Sequence, residues 1–296
     1  MSVPFISMGE GERVLDWLRL TEALAEGHQR PKAQIGDTFL YRDPDTLLSR
    51  AAWIDGMGMA VKTATVFPGN IEVPSINGGV SLYSDGDGTL QAIIDFHLVT
   101  KWKTAGDSLL AALRLAPGAE RILIVGAGTV ARSVREAFGA GFPGAHFTLW
   151  NRSRARAEEV QDVTVADDLE DAVRAADIIV GCTMATDPWL RGDWLRPGQH
   201  VNLIGAYRPD MREADDAALR MAQVYVDSRD TTLDHIGEMK IPLEAGTVPR
   251  DHVRADYYDL PTFEPAPDAV TLFKNGGGAH LDLMTARHIL ERWEAR

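Results

Sequence analysis

The spacing of apolar residues changes along the chain, and each change marks a different kind of element. Over residues 12–27, Val14, Leu15, Leu18, Leu20, Leu24 and Ala25 recur at roughly helical intervals and Gly27 is a natural stop, which predicts an amphipathic helix. Over 38–95 the apolar runs become short and β-like at 38–41, 57–67, 79–83 and 90–94. Turn chemistry separates them: Arg42-Asp-Pro-Asp45, Pro68-Gly-Asn70 and Asp85-Gly-Asp-Gly88. A hairpin-rich, antiparallel first domain follows. Helical spacing returns over 98–116 and is closed by Pro117-Gly118.

Beyond this point strands and helices alternate. Ile122 to Val125 read as a strand buried on both faces, Gly126-Ala127-Gly128 as a tight turn, and 129–140 as a helix. A second strand at 145–150 completes a βαβ unit of about thirty residues, the expected size. Then come a helix at 154–161, an extended piece at 163–166, a helix at 168–176 with Asp167 as N-cap, and a buried strand at 178–182. Strands at 199–204 and 223–227 flank a helix at 215–221. Such alternation predicts a parallel sheet with crossover helices. The fold expected is therefore α/β, a Rossmann-type doubly wound parallel sheet plus an antiparallel-β-rich domain. The boundaries expected are 1–107, completed by 275–296, and 108–274. In the last segment Lys274-Asn-Gly-Gly-Gly-Ala-His280 leads into a helical run through Leu283, Ile289 and Trp293. Spacing alone leaves two readings of that glycine run, an anion-facing helix start or a pliable entry to a terminal helix.

Composition narrows the class. With 296 residues, 45% hydrophobic and 25% charged, the chain has the make-up of a soluble globular protein, and its formal net charge of −13 opposes nucleic acid and anionic membranes. Residues 1–11 lack the pattern of a secretory signal and no apolar run is long enough to span a bilayer, so a cytoplasmic location is expected. The single cysteine, Cys182, can form no internal disulfide and reads as core. No metal site is expected.

The glycine turn then acquires a chemical meaning. Gly126, Ala127, Gly128, Thr129 and Val130 fit a dinucleotide cradle of the form G-x-G-x-x-A, with Ala131 in the third place. The helix after them would aim free N–H groups at a pyrophosphate. The fingerprint alone is weak, and the βαβ context is what favours it over an ordinary turn. Where the second strand ends, an acidic residue would select NAD by binding its ribose hydroxyls. Here the end is Trp150-Asn151-Arg152-Ser153, with no acid until Glu158. Arg152, with Asn151 and Ser153 as further donors, suits a 2′-phosphate, so NADP(H) is favoured while NAD(H) stays possible and FAD shares the fingerprint. Thr183 and Met184, following the strand at 178–182, join the expected cofactor set.

Several first-domain segments, Ala60-Val-Lys-Thr-Ala-Thr-Val-Phe-Pro-Gly-Asn70, Val73-Pro-Ser-Ile-Asn-Gly78 and Leu98-Val-Thr-Lys-Trp-Lys-Thr-Ala105, resemble the ornithine cyclodeaminase and mu-crystallin family. The resemblance continues through Pro197-Gly-Gln-His-Val-Asn-Leu-Ile-Gly-Ala206, Pro209 to Glu213, Val270-Thr-Leu-Phe-Lys274, Ala279 and Asp282, covering nearly the whole chain. It implies a homodimer whose first domain binds substrate and forms the interface. It also implies hydride exchange between a nicotinamide and a carbon bearing both nitrogen and a carboxylate. By resemblance Lys62 is the substrate-site lysine, Ser75 a substrate contact, Lys103 a carboxylate-binding position where the family usually has arginine, and Lys32 a match to a second family arginine. Crowded ammonium groups would lower the pKa of Lys62 and attract a carboxylate.

Two departures carry weight. Lys103 cannot offer the two-pronged grip of a guanidinium. After Gly205-Ala206, where the cyclodeaminase has an aspartate for the distal amine of ornithine, this chain has Tyr207. The expected activity is thus NADPH-dependent reduction of a small cyclic ketimine acid, such as Δ1-pyrroline-2-carboxylate or Δ1-piperideine-2-carboxylate, to an L-amino acid. Ornithine cyclodeamination, alanine dehydrogenation and a mu-crystallin-like, NADP-regulated binding protein are the alternatives.

Overall fold

Burial that alternates along the strands before residue 95, and is continuous along those after 121, separates two kinds of sheet in the computed structural model, which describes residues 3–296. In chain order the elements are β1 (Phe5–Ile6), α1 (Met8–Glu12), α2 (Trp17–Gly27), β2 (Gln34–Arg42), β3 (Asp45–Ile54), β4 (Gly58–Val66), β5 (Ile76–Tyr83), β6 (Leu90–Asp95) and α3 (Phe96–Leu115). There follow β7 (Arg121–Val125), α4 (Thr129–Gly141), β8 (His146–Trp150), α5 (Arg154–Glu158), β9 (Thr164–Val165), α6 (Leu169–Ala175), β10 (Ile178–Gly181), β11 (His200–Leu203), α7 (Asp216–Met221) and β12 (Gln223–Val226). The chain ends with α8 (Arg229–Thr232), α9 (Gly237–Glu244), β13 (Val253–Ala255), β14 (Thr271–Lys274) and α10 (Ala279–Glu294). These divide into one unit of Met1–Lys103 with Gly278–Arg296 and a second of Thr104–Gly277.

The first unit is built on a six-stranded sheet of order β1-β6-β5-β4-β3-β2, antiparallel from β2 to β6. One face is lined by small and branched residues, Ala52, Ala60, Ala64, Val80, Leu82, Ala92 and Ile94, each at most 3% exposed. α10 packs on this face and is buried along nearly all of its length from Ala279 to Leu290. The helix expected over 12–27 starts only at Trp17, because Asp16 turns out of the helix and caps it by accepting the Arg19 N–H. β3 was not expected. Its inward positions include Arg50, which breaks the apolar alternation that marks a strand.

The second unit carries an eight-stranded sheet in which each pairing is parallel, in the order β13-β12-β14-β11-β10-β7-β8-β9. Ile122 to Val125 and Ile178 to Val180 are at most 1% exposed, as strands covered on both faces require. From β7 the chain winds outward to β8 and β9 on one side, and through β10 and β11 on the other. The strand order reverses beside β7, which is where open parallel sheets leave a ligand crevice at their carboxyl ends.

Two donors of the glycine run are turned inward. The N–H groups of Gly276 and Gly277 go to the buried Asp227 carboxylate at 2.8 and 2.6 Å. A Cβ on Gly276 would stand 2.1 Å from the Thr232 hydroxyl. These two N–H groups are engaged inside the protein, while Gly278, the N-cap of α10, has no side-chain cap among the described residues.

Candidate active site

In the first unit, three buried charged side chains meet from three elements. Lys62 sits on the inward face of β4 between Ala60 and Ala64, and Lys103 is near the middle of α3. Asp282 is in the first turn of α10. One carboxylate oxygen, Asp282 Oδ1, accepts from Lys62 Nζ at 3.1 Å and pairs with Lys103 Nζ at 2.9 Å. The other, Oδ2, is buried and has no hydrogen-bond partner among the described residues. Phe96, Thr100 and Lys103 recur at i, i+4 and i+7 and so share one side of α3. Consequently Lys62 Nζ also donates to Thr100 Oγ1 at 3.1 Å and lies 4.7 Å from the centre of the Phe96 ring.

The electrostatics follow from burial. Removal from water lowers the Lys62 ammonium to about 8; Asp282 acts in the opposite direction and Lys103 adds to the lowering. Burial is thus the main cause, and the crowding expected from the sequence is secondary. Burial by itself would raise the Asp282 carboxyl, but Lys103 and Lys62 hold it well below the usual carboxylate range. Two amines facing one carboxylate leave an excess of positive charge, which suits a monoanionic ligand. Arg50 belongs to the same face, because it lies directly opposite Lys62 in the β3–β4 ladder, and its guanidinium is held by both Asp37 oxygens at 2.9 to 3.2 Å.

Ser75 is not brought to this cluster. Val80 is the residue opposite Lys62 on β5, so Ser75 lies about 16 Å back along the strand direction at roughly 3.3 Å per residue. Ser75 and Lys32 are both exposed. Sequence reasoning gave Asp282 no role and overlooked Arg50, Phe96 and Thr100. The helical spacing of 96, 100 and 103 was a usable signal for the last two; the register that places Arg50 was not visible.

In the second unit the glycine turn has the stereochemistry of a cradle. Gly126 has φ +116°, and a Cβ there would lie 2.9 Å from the Cys182 carbonyl oxygen. A Cβ on Gly128, by contrast, would meet nothing within 4 Å, so that side of the turn is open to an approaching group. Gly128 is also the N-cap of the 13-residue α4 and has no side chain to satisfy the first N–H groups, while Ala131 is fully buried behind them. At the end of β8, Asn151 Nδ2 donates to the Ser153 carbonyl at 2.9 Å and Arg152 is exposed. Thr183 follows β10 at the carboxyl edge, Met184 beside it is exposed, and Tyr207 is 59% exposed after β11. Burial and the nearby Glu213 carboxylate push the Cys182 thiol well above its ordinary value, contrary to what a nucleophile needs. These residues fit a dinucleotide: a turn only glycine can make, a helix start without a side-chain cap, and one exposed cation, Arg152, at the end of the second strand.

The sequence model of the ornithine cyclodeaminase/mu-crystallin family matches residues 53–296. The chain belongs to this family. It is 46% identical over 301 residues to the Δ1-pyrroline-2-carboxylate reductase of Paracoccus denitrificans, covering 96% of this chain and 95% of that protein. Two solved structures share the fold at TM-scores of 0.87 and 0.90. One is the Thermococcus litoralis Δ1-pyrroline-2-carboxylate reductase in complex with NADH and L-proline, 21% identical with 97% of this chain and 96% of that one covered. The other is an archaeal alanine dehydrogenase dimer with bound NAD, 22% identical over 100% and 97%. Among the described residues no helix is long and apolar enough to cross a membrane.

The Lys62 shift yields a test. Asp282→Asn removes the group that holds Lys62 up, so its titration midpoint should move from about 8 to lower pH. Carbon-13 NMR of labelled lysine would read this directly, and an unchanged or raised midpoint would disprove the pairing.

Proposed function

We propose that this member of the family reduces a small cyclic ketimine carboxylate of the Δ1-pyrroline-2-carboxylate or Δ1-piperideine-2-carboxylate type to an L-amino acid, with NADPH as the favoured reductant. The observation that carries the reading is the buried Lys62–Asp282–Lys103 cluster, whose surplus positive charge matches a monocarboxylate. The 46% identity to a reductase of that substrate supports it. The bound nicotinamide supplies the hydride. Lys103 and Lys62 attract the substrate carboxylate and favour electron withdrawal from the neighbouring imine carbon. Lys62, at about 8, can release a proton toward the imine nitrogen near neutral pH. Asp282 keeps that amine charged until it is needed.

Ornithine cyclodeamination is disfavoured because Tyr207 occupies the place of the carboxylate that would handle a distal amine, and it carries no negative charge to do so. NADP(H) is preferred to NAD(H) on the exposed Arg152 and the missing acid at the end of β8. The two solved structures of the same fold hold NADH and NAD, and the NADP(H) reading rests on this chain's own Arg152 and the missing acid.

A homodimer is proposed on the first unit's exposed sheet. All nine residues of the edge strand β2 are exposed, Phe39, Leu40 and Tyr41 by 46, 60 and 76%. On the outer face Leu40 lies opposite Leu47, and elsewhere on the same face Trp53 is 46% and Ile93 37% exposed. A long apolar edge is an aggregation hazard unless a second chain covers it.

Three outcomes check this reading. Wild-type protein should oxidise NADPH with pyrroline-2-carboxylate, and Lys62→Met should lower kcat by about 100-fold or more; ammonia release from ornithine without net reduction would overturn the reading. Arg152→Glu should cut kcat/KM for NADPH by roughly tenfold or more while sparing NADH, and equal losses with both would refute the 2′-phosphate contact. Sedimentation velocity should show a dimer that Leu47→Glu dissociates, whereas a wild-type monomer would remove the interface.

A further inference from the structure

Glu213 is completely buried in the second unit, between the ends of β10 and β11. Its Oε1 accepts the Thr183 N–H at 2.9 Å, the Thr183 hydroxyl at 2.7 Å and the Trp189 indole N–H at 3.3 Å. Its Oε2 accepts the Gly205 N–H at 2.7 Å. The backbone of Glu213 is itself held from behind, because its N–H and that of Ala214 donate to the two oxygens of buried Glu238 at 2.7 and 3.0 Å.

Glycine occurs where these segments touch. A Cβ on Gly181 would lie 2.8 Å from Glu213 Oε1, and a Cβ on Gly205 would lie 1.9 Å from the Thr183 carbonyl oxygen. Two loops are therefore drawn together around one carboxylate, with the side chains that would force them apart absent. Burying a carboxylate is costly, and here it is offset by several charge-assisted hydrogen bonds. A core whose only task was to fill space would be met more cheaply by an apolar side chain. Thr183 and Gly205 each follow a strand at the carboxyl edge of a parallel sheet, next to the reversal of strand order where such sheets hold nucleotides.

We propose that Glu213 is a positioning residue for the nicotinamide cofactor: by joining the N–H of Thr183 to that of Gly205 it fixes the two loops that form the cofactor crevice beyond β10 and β11. This rests on the dinucleotide reading given above. Glu213 touches no reacting atom in this role; it sets the separation of loops that do. A glutamine has the same shape but only one acceptor oxygen. With that oxygen facing the three donors on the Thr183 side, its NH2 group would oppose the Gly205 N–H and push the loops apart.

The test is cofactor affinity of the full-length protein, read by protein-to-NADPH fluorescence transfer, together with hydrogen exchange and thermal unfolding. Glu213→Gln should weaken NADPH binding at least tenfold and raise the cofactor KM more than it lowers kcat. Exchange should speed up at Thr183 and Gly205 while the unfolding midpoint stays near that of the wild type. Gly205→Ala, which separates the same loops without altering the carboxylate, should reproduce the loss and serves if Glu213→Gln does not fold. An affinity within twofold of wild type in a folded Glu213→Gln, or in Gly205→Ala if that variant alone folds, overturns the proposal. Failure of the wild type to bind either nicotinamide would instead remove the cofactor reading and the clamp together.

Discussion

The first unit depends on one buried carboxylate. Asp282 is 1% exposed and satisfies two lysines that arrive from a strand and a helix, so α10 is not merely laid on the sheet but tied to it at a charged point. Burying either lysine alone is costly, and here the cost is offset by the shared carboxylate and, for Lys62, by the Thr100 hydroxyl and the Phe96 ring. The alanines at 60 and 64 on either side of Lys62 make room for this arrangement by letting the helix approach closely.

Buried carboxylates serve the second unit differently. Glu213 collects backbone N–H groups from the segments that leave β10 and β11, at Thr183 and Gly205, whereas Asp227, just after β12, collects those of Gly276 and Gly277 after the neighbouring β14. A parallel sheet fixes its strands through ladder hydrogen bonds but leaves the loops beyond them without partners. Side-chain acceptors are one way to order those loops without filling the crevice they border. Burial pushes Glu238, which braces Glu213, up to about 7, and lowers the Lys274 amine, which nonetheless donates to the Leu203 carbonyl at 3.0 Å. The carboxyl edge of this sheet thus carries a buried polar network.

Much of this fold was legible because it rests on local signals. The Ile122–Gly128 strand and turn, the strand at 178–182 and the helix ending before Pro117 were readable from hydrophobic runs, glycine and proline. β3 was not, since Arg50 occupies an inward position for electrostatic reasons that periodicity does not register. Nor was the region containing α8, α9 and β13, where short elements are ordered by tertiary contacts. In the site, Lys62 and Lys103 were found through resemblance, but the carboxylate between them is 220 residues from Lys62 in sequence and no spacing rule connects the two. Tyr207 and Arg152 were read from what their positions lack, which is a sequence signal. Glu213 was visible only as part of a motif, because what it does depends on the distance between two loop ends.

Lys103, at a position where the resemblance implies an arginine, has a definite physical setting. An arginine there would offer a planar fork to both a substrate carboxylate and Asp282, whereas the Lys103 amine is a compact charge already 2.9 Å from that aspartate. Part of what it can offer a ligand is therefore spent inside the protein. A guanidinium is nevertheless present on the same face, at Arg50 opposite Lys62, held by both oxygens of Asp37. The planar donor geometry absent at position 103 is thus present at Arg50, which is restrained from the sheet edge rather than from the helix. The positive character of the cluster consequently depends on the sheet as much as on α3, and a change in β2 that freed Arg50 from Asp37 would alter it without touching either lysine.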